Sequence, residues 1–130
     1  MGGLQVLEEE FAADGLHVLG FLSNNFGSQG GSEEQIEACT DDYGVTFAQF
    51  IIDDVVDPGP RPVWDWLLSQ DNPGPASGIA PTWNFHKYLI SRDGELVQHW
   101  ESNVAPPGAA SDPDFDTNPI VVAIQAELDK

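Results

Sequence analysis

Apolar residues at Leu4, Leu7 and Phe11 recur at helical spacing, and Asp14-Gly15 supplies a stop, so the pattern predicts a helix over residues 3–14. Leu16 to Leu22 is a short apolar run broken by His17 and Gly20, which predicts a buried strand of the parallel type. The polar stretch Ser23 to Gly31 reads as a loop, and Ser32 with Gln35 forms a capping box that opens a second helix. Cys39 falls near the end of that helix. Val45 to Ile52 is rich in β-formers and predicts a strand or extended segment. Pro58 to Pro62 is a rigid connector whose last proline suits the first turn of a helix through Leu68. Gln70 to Pro81 reads as loop. Phe85–Ile90 and Glu95–Trp100 are predicted strands joined by Ser91-Arg92-Asp93-Gly94, a hairpin signal. Asn118-Pro119 caps a final helix with Ile120, Ile124 and Leu128 on its apolar face and Val121 beside them.

The predicted order is α-β-α-β-α-β-β-α, without internal repeat, in one domain over residues 1–130. A chain of this length buries enough surface to fold without disulfides or a structural metal. Its 22 acidic residues against four basic ones give a net charge of −18, which removes nucleic acid and anionic membranes as partners. Acid-rich, lysine-poor surfaces stay hydrated and mutually repelling in salt, so the composition points to a saline habitat, or else to an ordinary soluble acidic surface. No apolar run reaches the roughly 18 residues of a membrane span. The start Met1-Gly2-Gly3-Leu4-Gln5-Val6 resembles neither a signal peptide nor a myristoylation site, and the expectation is a cytoplasmic protein.

Cys39 is the single cysteine, so the 130 residues hold no intramolecular disulfide and no multi-thiolate zinc site. By itself it reads as a small buried hydrophobe. Asp112, Asp114, Asp116 and Asn118 imitate the opening of a calcium loop. Thr117 and Ala123 stand where that loop needs Gly and Glu, so a solvated acidic loop is expected and no metal is assigned. His86 and His99 can approach each other across the hairpin, but with no third ligand in view they are expected to be structural, as is His17. Trp64 and Trp66 are expected to divide between core and surface. No Ser-His-Asp set, phosphate loop or dinucleotide fingerprint is present.

Four segments carry a family resemblance: Gly20-Phe21-Leu22-Ser23-Asn24-Asn25-Phe26-Gly27-Ser28-Gln29, Tyr43-Gly44-Val45-Thr46-Phe47, Val63-Trp64-Asp65-Trp66-Leu67 and Trp83-Asn84-Phe85-His86-Lys87-Tyr88-Leu89-Ile90-Ser91-Arg92-Asp93-Gly94. Together they resemble the glutathione peroxidases. Leu22 stands for the usual Pro, Asn25 for the usual Gln and Ala48 for the usual Pro. The resemblance covers nearly the whole chain. It implies a thioredoxin-like α/β sandwich that reduces hydrogen peroxide or organic hydroperoxides with a thiol co-substrate, glutathione or thioredoxin, and no bound cofactor.

In that family a cysteine or selenocysteine is oxidised by the peroxide, and the resemblance maps its activating neighbours onto Gln29, Trp83 and Asn84. Singly, these read as a loop residue, a core aromatic and a strand-edge polar group; the family-like spacing makes them a site. All three carry neutral donors that lower a thiolate's pKa and stabilise the leaving oxygen. Cys39 aligns with the resolving cysteine of thioredoxin-dependent members and leans toward thioredoxin as reductant.

The nucleophile itself is expected upstream of Met1, on a loop after a first central strand that this chain lacks. Unpaired backbone groups beside such a gap would cost roughly 1–3 kcal/mol each, against a domain stability of about 5–15 kcal/mol, so an N-terminal truncation is expected. A selenocysteine codon read as a stop would produce one, and so would a start-site error. The rival reading is a non-catalytic thioredoxin-like binding or scaffold protein that has lost its nucleophile. Oligomeric state is left open.

Overall fold

The computed structural model describes residues 2–22, 25, 33–50, 55, 62–68 and 80–130. Helices and strands follow the predicted order: α1 (Gly2–Phe11), β1 (Leu19–Phe21), α2 (Glu33–Tyr43), β2 (Ala48–Phe50), α3 (Pro62–Leu68), β3 (Lys87–Ile90), β4 (Leu96–Trp100) and α4 (Pro119–Leu128). This is the mixed α/β arrangement of a thioredoxin-like chain. Short 3-10 turns at Ala12–Asp14 and Phe115–Thr117 extend the scheme. The residues group into two compact units, Met1–Leu22 with Gly30–Ile51 and Ala105–Lys130, and Ser23–Gln29 with Ile52–Val104.

In the first unit β1 and β2 pair in parallel, as the apolar run predicted, with Leu19 opposite Ala48 and Phe21 opposite Phe50. The Phe21 and Phe50 rings stack at 4.5 Å. The strand is shorter and more exposed than Leu16–Leu22 implied: it begins at Leu19, which is 53% exposed. Hydrogen bonding explains the late start. Gly15, at φ 108°, ends the first helix, donating to the Ala12 carbonyl while Leu16 N–H reaches back to Phe11 O, a Schellman arrangement. Val18 N–H then donates to Glu8 Oε2 at 2.9 Å. Backbone donors at Leu16 and Val18 thus serve α1 rather than the sheet.

Leu7 and Phe11 of α1 are buried, but Leu4 is only half-buried, and Gln5 takes the inward position at 4% exposure. Its amide is satisfied there: Oε1 accepts Thr46 N–H at 2.8 Å, and Nε2 donates to Thr46 Oγ1 at 2.8 Å and Glu9 Oε1 at 3.1 Å. A buried amide is tolerable when its polar atoms are paired in this way. Phe11 also stacks on Phe115 at 6.2 Å. Asn118 caps α4 as predicted, its Oδ1 accepting from Ile120 and Val121 N–H while Nδ2 holds Ala105 O at 3.0 Å. Ile120, Val121 and Ile124 are buried, and Leu128 is half-buried.

In the second unit β3 and β4 form the expected antiparallel hairpin, with Lys87 opposite Trp100, Tyr88 opposite His99 and a bulge near Ile90. Gly94 at φ 84° makes the turn, which Ser91 closes by donating to Glu95 O at 2.9 Å and accepting Glu95 N–H on its hydroxyl. Trp64 is buried and meets Tyr88 edge-on at 6.1 Å, while Trp66 is exposed, the division the sequence suggested. Among the described residues of this unit, Leu96, Leu89, Trp100 and Val55 are also buried.

Leu96 has no exposed surface. Leu96→Ala is expected to lower stability by about 2–5 kcal/mol, through lost transfer energy and the cavity left behind. A fall in the urea midpoint at unchanged slope checks this.

Ser32 of the capping box, most of the Gln70–Pro81 loop and the connector before Pro62 lie outside the described residues. No described helix is long and apolar enough to cross a membrane.

Candidate active site at the turn before β3

Trp83 and Asn84 occupy a turn that runs directly into β3. The predicted strand started at Phe85, but Phe85 sits at φ 61°, a left-handed conformation that no strand can continue, so β3 begins at Lys87. An aromatic residue held in that region stores local strain, which surrounding contacts must offset. One such contact is visible: Lys87 Nζ donates to Phe85 O at 2.7 Å, with Glu101 O at 3.5 Å.

The twisted turn keeps Trp83 half in solvent, 50% exposed, with Asn84 half-buried. Trp83 is therefore no core aromatic. Its indole N–H and the Asn84 amide are neutral donors on consecutive residues at an accessible turn, suited to stabilising an anion.

Behind the turn, Thr82 N–H donates to His86 Nδ1 at 3.2 Å, and the Thr82 hydroxyl lies 3.3 Å from the same nitrogen. His86 Nε2 lies 3.1 Å from His99 Nδ1, with the ring planes 2° from parallel. The predicted approach of these two histidines is thus realised. Burial, then His99 and Lys87, pull the His86 pKa below the ordinary 6.5, against an upward pull from Glu101. Burial likewise lowers Lys87 and raises the Tyr88 hydroxyl. The sequence placed His86 and His99 together but did not implicate Thr82. A polar residue four positions before a turn-forming histidine was the available signal.

Of the other predicted site residues, Gln29 lies outside the described residues, and Cys39 lies within α2, where only the helix is described. Asn25 accepts Val55 N–H on Oδ1 at 2.8 Å. No group of three or more His, Cys, Asp or Glu among the described residues could hold a metal ion. The acidic stretch that imitated a calcium loop is used locally instead: Asp112 Oδ2 accepts Ala109 N–H at 3.0 Å, and Asn118 caps α4.

No protein-family profile matches the chain. Individual proteins do. A hydroperoxy fatty acid reductase of Synechocystis sp. is 39% identical over 117 residues, covering 85% of this chain and 69% of the relative. A glutathione peroxidase of Lactococcus lactis is 36% identical over 106 residues, 80% of this chain and 66% of the relative. A glutathione peroxidase-like peroxiredoxin of Schizosaccharomyces pombe is 34% identical over 106 residues, with the same 80% and 66% coverage. The chain thus spans about two thirds of the length of these curated relatives. With identity at this level sustained over most of its residues, the chain belongs to the glutathione peroxidase family.

Proposed function

We propose that the protein reduces hydrogen peroxide or organic hydroperoxides with electrons from a thiol. Gln29, Trp83 and Asn84 act as donors around the reacting centre, and Cys39 acts as the resolving thiol. The observation that carries this reading is the pairing of Trp83 and Asn84 on one accessible turn, in a chain whose relatives are named as peroxidases and a hydroperoxide reductase.

In the first step a thiolate or selenolate attacks one peroxide oxygen. The O–O bond breaks with its electron pair on the other oxygen, which takes a proton and leaves as water or alcohol. Donors aimed at the site favour the anionic nucleophile and the developing oxyanion together. In the second step the sulfenic or selenenic acid condenses with the Cys39 thiol, water leaves, and a disulfide or selenenylsulfide forms. Thioredoxin or glutathione then reduces that bond and is itself oxidised to a disulfide. The thiol is a co-substrate, and no resident cofactor or metal enters. The attacking sulfur or selenium is assigned to none of the 130 residues. A cytoplasmic setting suits a reaction that draws on a reduced thiol pool.

The test is peroxide consumption by the natural gene product and by the 130-residue chain, each with excess thioredoxin or glutathione. Turnover by the gene product is expected. Turnover by the 130 residues alone would make Cys39 the nucleophile, since the chain has no other cysteine. No turnover by either would overturn the peroxidase reading in favour of a binding role.

A further inference from the structure

A bond from Thr82 N–H to His86 Nδ1, 3.2 Å long, spans the turn that presents Trp83 and Asn84. A backbone N–H can only donate, so the bond from Thr82 N–H leaves His86 Nδ1 without a proton. The neutral His86 ring then carries its hydrogen on Nε2, which points at His99 Nδ1, 3.1 Å away. That contact in turn requires a bare Nδ1 on His99 and places the His99 proton on Nε2. Thr82, His86 and His99 therefore form one directed chain of donors with a single consistent set of tautomers. Tyr88 rests against the His86 ring at 5.0 Å and limits its rotation.

We propose that His86, fixed by His99, is the positioning residue of the Trp83-Asn84 turn: as a neutral acceptor it holds the turn closed, and its protonation opens it. The proposal rests on the roles given to Trp83 and Asn84 above. Protonation puts a hydrogen on Nδ1, so the bond from Thr82 N–H is lost and the ring nitrogen can only donate, with the Thr82 hydroxyl at 3.3 Å as its acceptor. The groups around His86 are Thr82 on the turn, Lys87 and Tyr88 on β3, His99 on β4 and Glu101 just beyond it. Burial, His99 and Lys87 oppose the charged ring, and Glu101 favours it. Because the folded state lowers the His86 pKa, its contribution is fully present above 6.5 and fades as pH falls from there through the lowered value. The turn is thus built to stay closed at neutral pH and to open on acidification.

The experiment is a pH titration of the ¹⁵N-labelled 130-residue chain by NMR, following the His86 ring nitrogens, the Thr82 amide and the Trp83 indole N–H. At high pH His86 is expected as the Nε2–H tautomer. The Thr82 and Trp83 signals are expected to shift together with the His86 ring nitrogens, at a midpoint below 6.5. His86→Gln, whose amide oxygen accepts but does not titrate, is expected to keep the high-pH signals as pH falls. His86→Phe, with no acceptor, is expected to show the low-pH signals at every pH.

A Trp83 signal that ignores the His86 titration, an Nδ1–H tautomer, or a His86→Phe spectrum matching high-pH wild type would overturn the proposal. The wild-type titration decides the matter even where a variant fails to fold. These signals report on the turn whether or not peroxide is consumed. A failed turnover assay and a failed clamp are therefore separate results.

Discussion

Trp83→Phe is expected to lower peroxide kcat/KM of the gene product by about 10²–10³-fold, the usual effect of removing one preorganised donor from an oxyanion site. The substitution keeps an aromatic ring but deletes the indole N–H. At a residue 50% exposed it removes little buried surface, so the unfolding midpoint is expected to stay nearly unchanged. Activity and stability therefore separate the two roles open to Trp83, since a packing residue would lose both or neither. Asn84→Ala and Gln29→Ala are each expected to lower the rate as well, by removing an amide donor. The pH profile gives a second signature. If these donors hold the nucleophile in its anionic form, removing one raises its pKa, and the rise of rate with pH moves to higher pH. A profile that keeps its position while the rate falls would assign the donors to the leaving oxygen alone.

The acidity of the protein sharpens the need for such donors. A net charge of −18 sets up a field that opposes any anionic nucleophile. That field is screened over about 10 Å at 0.1 M salt, so groups within hydrogen-bonding distance decide the local balance. The indole and the amides meet the requirement without charge. Lys87, a cation beside the turn, donates to the Phe85 carbonyl and has its pKa lowered by burial, so it acts as a tether for the backbone.

What the sequence disclosed and what it hid divide along the range of the interactions concerned. Asn118 and Pro119 announced α4 because a cap and a first-turn proline act within four residues, and the structure uses them that way. Ser91 to Gly94 announced the hairpin for the same reason, since the turn needs a left-handed glycine and a short-range acceptor. Val18 gave no sign that its N–H belongs to Glu8, so the first strand was drawn three residues too early. Gln5 is the inverse case. Hydrophobic periodicity placed Leu4 inward, but the amide found both a donor and an acceptor on Thr46, a partner distant in the chain. Phe85 broke its strand through a left-handed φ that no local rule assigns to an aromatic residue. Trp83 and Asn84 were identified by resemblance, and their accessible turn is a tertiary result. The calcium-like spacing of Asp112, Asp114 and Asp116 was local too, and Asp112 and Asp114 serve turns ahead of α4.

Cys39→Ser is expected to stop steady-state turnover with thioredoxin after the first peroxide is reduced. Attack on the peroxide leaves the nucleophile as a sulfenic or selenenic acid, and thioredoxin acts on a disulfide rather than on that acid. Cys39 converts one into the other by displacing water. Serine cannot, because its hydroxyl oxygen does not displace the hydroxyl to form a bond thioredoxin can reduce. Intact mass after one equivalent of peroxide should show the wild-type protein lighter by two hydrogens and the variant heavier by one oxygen. Further peroxide should drive the variant to the sulfinic state when the nucleophile is sulfur. Added glutathione should restore part of the turnover by attacking the acid directly, which distinguishes a missing resolving thiol from a collapsed site. Cys39 lies inside α2, so bond formation also requires the partner's Cα to come within roughly 4.4–6.8 Å of a helical position. Faster exchange of α2 amides in the oxidised protein would show the helix yielding to meet that distance. Unchanged thioredoxin-dependent turnover in Cys39→Ser would remove the resolving role and leave the direct thiol route as the way the enzyme is regenerated.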